Sequence, residues 1–323
     1  MSDITARILR PRLLSAAFAA IAFTILPAAT PARAAILYVT NDGSNTIEKI
    51  TSAGTGSVFA STGFSSQPEG LAFDRVGNLY DANFNSNVNT IGKFTPGGVG
   101  TVFATAATGV NRPVGLASDS AGNLYAGNTA GSTIEKFTPG GVGSVFASTG
   151  LSGPIGLAFD SAGNLYVSNQ GGNTIEKFTT GGVGSLFATV TTFANSLAGL
   201  AFDSAGNLYV SDANANKIDK FTPGGVASVF ASTGLNQPIG LAFDSAGSLY
   251  AANQGNNTIE KFTTGGVGSV FATAANGLSS PQYLAFTNDA GVPLPLANQV
   301  PEPASAGLLA LGSLLLASRR RRA

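Results

Sequence analysis

The sequence predicts an all-β protein, a six-bladed β-propeller of four-stranded blades, and three observations carry the prediction. A G-L-A-F-D motif recurs at Gly70, Gly115, Gly156, Gly199 and Gly240, at intervals of 45, 41, 43 and 41 residues; a degenerate sixth copy, Tyr283-Leu284-Ala285-Phe286, follows after 43. Each interval holds four short runs of β-favouring residues punctuated by Gly, Asn and Asp, and no helix is expected between 35 and 300. The first unit, beginning at Leu37-Tyr38-Val39, has a second, third and fourth strand but no first. The orphan copy at Leu284 to Phe286 supplies it, so one blade is built from both ends of the chain and the ring closes without an exposed edge.

The copy from Gly156 shows how one blade is written. Leu157 to Asp160 is apolar and near-continuous, as suits an innermost strand buried on both faces. Asp160-Ser161-Ala162-Gly163-Asn164 is a turn in which Asp caps and Gly takes the left-handed position. Leu165 to Ser168 forms the second strand, Asn169 to Asn173 a loop and Thr174 to Thr179 the third strand. Gly181 and Gly182 then turn the chain into a fourth strand, Ser185 to Thr189. Glu-Lys pairs recur on strand three (Glu135-Lys136, Glu176-Lys177, Glu260-Lys261), where adjacent side chains point to opposite faces and so toward neighbouring blades. The recurrent Asp74, Asp119, Asp160, Asp203 and Asp244 read as turn caps.

Composition excludes several chemistries. The chain has 42 Gly and neither Cys, His nor Trp, so it holds no Ser-His-Asp triad, no thiol nucleophile and no ordinary zinc site. Its formal charge of zero hides an uneven distribution, because eight of the 17 basic residues lie at the two ends. Residues 35–300 carry nine basic and 15 acidic groups, a balance of about −6, which argues against a nucleic-acid partner.

The ends read as addresses. Arg7, Arg10 and Arg12 precede an apolar run from Leu13 to Leu26, and Ala32-Arg33-Ala34 offers an A-x-A cleavage site; residues 1–34 are therefore expected to be a secretory signal peptide. The domain from 35 to 290 is followed by a linker, 291–300, and then by Pro301, Glu302 and Pro303. An apolar run, 304–318, and four arginines, Arg319, Arg320, Arg321 and Arg322, complete the chain. Such a tail predicts a short membrane-spanning segment held at its basic end. The three parts in this order resemble the PEP-CTERM sorting signal of Gram-negative bacteria. That resemblance implies recognition and processing by an exosortase near Pro301 to Pro303. It also implies export through the inner membrane to the cell surface or matrix, with exopolysaccharide or an envelope protein as the expected contact.

The repeat, with its P-x-G-L-A-F-D and G-N-L-Y-V-S-N pattern, is similar to the NHL repeat and the gluconolactonase-like six-bladed propellers over residues 36–287. In the gluconolactonase-like enzymes the position before the repeat Gly supplies metal ligands; here its occupants are Glu69, Val114, Ile155, Ala198, Ile239 and Gln282. One carboxylate and one amide make a poor calcium site, so no metal or other cofactor is expected. The virginiamycin B lyases, another propeller family of this look, are described with a catalytic His that this chain lacks. Candidate binding residues are Glu69 and Gln282 at the channel mouth and Phe84 and Arg112, which are placed to stack on a sugar ring or peptide. Asn83, Asn169, Asp212 and Asn253, just after strand two, complete the set, and Phe193 is a further exception in another long connection. The sequence thus predicts an exported propeller that binds or scaffolds without catalysis. The alternative is a metal-dependent lactonase or hydrolase with a degenerate site near Glu69.

Overall fold

A computed structural model describes residues 35–63, 67–85, 87, 89–191 and 196–288. They form six four-stranded antiparallel sheets arranged as the blades of a propeller. Blade 1 is the composite one: Pro281–Asn288 lies innermost, followed outward by Ala35–Asn41, Thr46–Ile50 and Gly56–Ser61. The register places Leu37 opposite Phe286 and Val39 opposite Leu284, joining the two ends of the described chain in one sheet. Blades 2 to 6 start at Pro68, Pro113, Pro154, Leu197 and Pro238. Helix is confined, among the described residues, to four 3-10 turns of three residues.

Blade 4 consists of Pro154–Phe159, Leu165–Asn169, Thr174–Phe178 and Gly184–Thr189. Its innermost strand begins three residues before the expected Leu157, because Pro is tolerated as the first residue of a strand, where no ladder donor is lost. Pro154 pairs with Asn169, and a bulge separates this pair from Leu157 and Val167.

Each second strand carries a tyrosine that joins two blades. Tyr125 meets Phe146 of its own outermost strand and Phe159 of the next blade edge-on, both at 5.0 Å. Lys136 lies over its ring at 5.2 Å and its hydroxyl donates to Asp119 (3.2 Å). Asp119 also accepts from the backbone of Ala121 and Asn123, so the recurrent Asp is a turn cap tied to a blade-joining ring. The Glu-Lys pair therefore divides differently from the sequence expectation. Lys136 stays inside its blade, whereas Glu135 packs against Gly109 in the connection that enters the blade.

Two further sets of contacts stitch the ring. The last residue of each strand-two-to-three loop (Asn45, Asn89, Ser132, Asn173, Asn216, Asn257) adopts a left-handed backbone. Its side chain accepts from an N–H just ahead of the next blade, as in Asn216 Oδ1 to Gln237 (2.7 Å) and Asn257 Oδ1 to Ser280 (2.6 Å). Nearer the axis, Ser168 Oγ accepts from Gly156 N–H (2.8 Å) and donates to the Ala198 carbonyl of blade 5 (2.6 Å). Ser211 makes the same bridge, and Thr40 makes it from blade 1.

Blade 2 departs from the pattern in its core. Elsewhere an apolar residue on strand two faces a carboxylate on strand three, as Val167 faces Glu176 and Ala251 faces Glu260. In blade 2 the pair is Asp81 and Gly92, so the acid has moved one strand inward. A Cβ at Gly92 would collide with Asp81 Oδ1, so the two departures depend on each other. Asp81 is fully buried, and its Oδ2 has no hydrogen-bond partner.

Candidate functional site

The innermost strands approach so closely at the axis that a side chain at the repeat Gly has no room. A Cβ at Gly70 would strike the Val114 carbonyl, and one at Gly156 the Ala198 carbonyl. This packing leaves the residue before each Gly to line the mouth of the central channel. In the sixth copy Tyr283 stands where the others have Gly. Its hydroxyl donates to the carbonyl of Ile155 in the opposite blade (3.3 Å), so the tyrosine spans the channel.

Above this strut lies a recess of about 300 Å³, bordered by all six mouth residues: Glu69, Val114, Ile155, Ala198, Ile239 and Gln282. Its volume is at the lower end for small-molecule sites. The apolar members form much of the wall. Amides from the loops add polarity: Gln170 and Gln254 between strands two and three, Asn214 likewise, and Gln237 ahead of blade 6. Phe84 contributes an aromatic ring.

Glu69 is the one carboxylate bordering the recess. The residue is partly buried. Burial, with a smaller contribution from the nearby Asp42, pushes its pKa up to about 8. At neutral pH it is therefore mostly a neutral acid that can donate a hydrogen bond. The Tyr283 phenol is pushed well above its ordinary value, first by burial and then by Glu69, so it remains protonated.

The structure brings Glu69, Gln282 and Phe84 together around this recess. Arg112 lies over the Phe84 ring at 4.3 Å, so these two residues stack on each other. The residues just after strand two lie deeper. Asn169 is buried; its amide accepts from Ser152 N–H (3.1 Å) and donates to the Gly150 carbonyl (2.8 Å) and Thr174 Oγ1 (3.0 Å). Asn253 repeats this arrangement with Asn236, Gly234 and Thr258. Asp212 is buried beside Lys217 (4.0 Å) and accepts from Ala215 N–H. Asn83 is buried too, donating to Thr90 (3.3 Å). Phe193 and the sorting and cleavage residues, Ala32, Ala34, Pro301 to Pro303 and Arg319 to Arg322, lie outside the described residues.

Sequence reasoning missed Tyr283 and the glutamines. Tyr283 carried a signal: six of the seven tyrosines recur on strand two, and the seventh breaks the repeat at its Gly. Gln170, Gln237 and Gln254 carried little, because each sits in a loop whose polar content varies from blade to blade.

The recess does not fit the metal site of the gluconolactonase-like resemblance. Four of the six mouth positions are apolar, and among the described residues no three carboxylates are grouped to hold an ion.

Fold and recess together define a six-bladed propeller with a small pocket of apolar walls and amide side chains at the mouth of its central channel. The model of the virginiamycin B lyase family matches residues 24–262, and the chain belongs to that family. Residues 299–322 match the PEP-CTERM protein-sorting motif. Among solved structures, a chain from the nidogen/laminin complex is 20% identical, with a TM-score of 0.68 over 78% of this chain and 98% of that one. Selenomethionine-substituted virginiamycin B lyase from Staphylococcus aureus is 19% identical, with a TM-score of 0.61 over 78% and 87%. A catalytically inactive His-to-Ala variant of that lyase with quinupristin is 17% identical, with a TM-score of 0.60 over 81% and 94%. At these identities the likenesses show the fold alone. No match is found among curated proteins.

Proposed function

We propose that this chain is an exported, surface-sorted propeller that binds a polar ligand in its channel-mouth recess without transforming it. The PEP-CTERM motif marks it for export and for processing by an exosortase. In our reading the N-terminal residues 1–34 direct secretion. The tail segment 304–318 holds the chain in the membrane until it is cut near Pro301 to Pro303, and matrix exopolysaccharide or an envelope protein is its contact.

The observation that carries the non-catalytic reading is the content of the recess. It has one carboxylate held mostly neutral, several amides and apolar walls, with no second acid, lysine or imidazole among its lining residues. Paired acid–base chemistry uses two groups with opposed protonation states, and beside Glu69 the lining offers only the Tyr283 phenol, which stays protonated and donates to the Ile155 carbonyl. The inactive S. aureus variant named above has lost one histidine, and this chain contains none.

Two measurements test the proposal. A glycan array probed with the purified protein is expected to show binding. Prolonged incubation with quinupristin or with aldonolactones is expected to return both unchanged by liquid chromatography. Turnover abolished by Glu69→Ala would overturn the non-catalytic reading. Separately, Glu302→Ala is expected to leave the precursor mass intact in cells; a normally matured product would refute the sorting assignment.

A further inference from the structure

The recess contains an acid with no counter-ion. Among the described residues the Glu69 side chain makes no ion pair and takes no hydrogen bond. The charged groups around it do not relieve this. Asp42, from the loop after strand two of blade 1, has the same sign. Arg112 is stacked on the Phe84 ring, and the Tyr283 hydroxyl donates to the Ile155 carbonyl. The proton on Glu69 therefore stands in for a missing positive charge. A bound ammonium group would displace that proton and form a charge-assisted pair away from bulk water.

The rest of the recess restricts what carries the ammonium. Gln170, Gln237, Gln254 and Gln282 each present both a donor and an acceptor, the pairing that vicinal hydroxyls require. The Phe84 ring offers a face for C–H groups. Gln254 and Gln282 each donate to Ser280 Oγ (3.4 and 3.5 Å), which leaves their carbonyl oxygens and second N–H groups for a ligand that a purely aliphatic amine would not engage. A sugar without the amine would meet Glu69 only as a neutral hydrogen-bonding acid and forgo the charge-assisted pair. We propose that the recess binds an amino sugar with a free amine, its ammonium on Glu69 and its hydroxyls on the glutamine amides. The inference rests on the reading of the recess as a ligand site and names the class of ligand it takes.

Titration calorimetry with the glucosamine trimer and its fully N-acetylated counterpart, in two buffers at pH 6, tests it. Glu69 and the amine are both protonated there, so seating the ammonium on the carboxylate is expected to release close to one proton per site. The free amine is expected to bind about tenfold tighter than the acetylated trimer, the worth of one added charge-assisted contact. Glu69→Gln is expected to remove both the preference and the proton release while the acetylated trimer still binds. Gln282→Ala is expected to weaken both trimers and leave the proton count unchanged; thermal unfolding checks that both variants fold. Equal binding of the two trimers without proton release would overturn the amino-sugar assignment and leave the ligand site standing. If neither trimer binds, the assignment also fails, and the glycan array then decides whether the site takes another ligand.

Discussion

Replacing Asp81 with Asn is expected to stabilise the protein at neutral pH, although most changes to a buried polar residue do the opposite. Burial raises the Asp81 carboxyl from 3.8 to about 7, only partly offset by hydrogen bonds from the Gly92 backbone and Asn83, and no cation faces it. The folded state therefore holds a proton that the unfolded chain has already released. Stability falls as pH rises from the unfolded value toward the folded one, and is flat above about 7. At 1.36 kcal/mol per unit, the full cost of ionising the buried group by pH 8 is about 4 kcal/mol, an upper bound because local relaxation and water entry lower it. Asn keeps the acceptor for Gly92 and cannot ionise. Urea unfolding at pH 4 and pH 8 measures the effect. The variant should match the wild type at pH 4 and exceed it by about 2–4 kcal/mol at pH 8. A variant that is destabilised equally at both pH values would refute the reasoning, because it would mean the charged form is satisfied in the folded state.

The same pair supports a second prediction. Gly92→Glu alone should destabilise by more than about 2 kcal/mol through collision with Asp81, and Asp81→Val with Gly92→Glu should recover most of the loss by restoring the arrangement of the other blades. Thermal unfolding of both variants and of Asp81→Val alone reads the coupling. Ser168→Ala removes a bridge between blades 4 and 5 and strands the Ala198 carbonyl, so it should cost about 1–3 kcal/mol in denaturant unfolding. Tyr283→Gly should return the sixth copy to the repeat pattern and open the floor of the recess. It is expected to weaken ligand binding at least severalfold while leaving the far-UV circular dichroism spectrum unchanged.

Much of the fold was legible because a blade is a local object. The interval between copies set the blade count, and the missing first strand of the N-terminal unit announced the composite blade later seen in the pairing of Leu37 with Phe286. What escaped was long-range. Asn173 reads in sequence as a turn residue, yet its side chain also accepts from Ser196 of the following blade, a partner defined only by ring closure. The candidate site divides in the same way. Glu69 and Gln282 were visible as exceptions at an axial position. The convergence of Gln170, Gln237 and Gln254 on them was not, because loops of blade 4 and blade 6, far apart in sequence, supply those side chains. Lys136 was misjudged because strand alternation gives the face of a side chain but not the reach of a long one, which here folds back over Tyr125.

The central claim is that the recess at the channel mouth is where this protein meets its ligand. Filling that recess tests the claim most directly. Ala198 lies in its wall, and Ala198→Trp places an indole in a space of about 300 Å³ while Glu69 and the glutamines keep their own side chains. With folding verified by thermal unfolding, the account predicts that this variant loses binding to the glucosamine trimer and to every glycan that the wild type retains on an array. Undiminished binding by the folded variant would contradict it and move the ligand site elsewhere on the propeller.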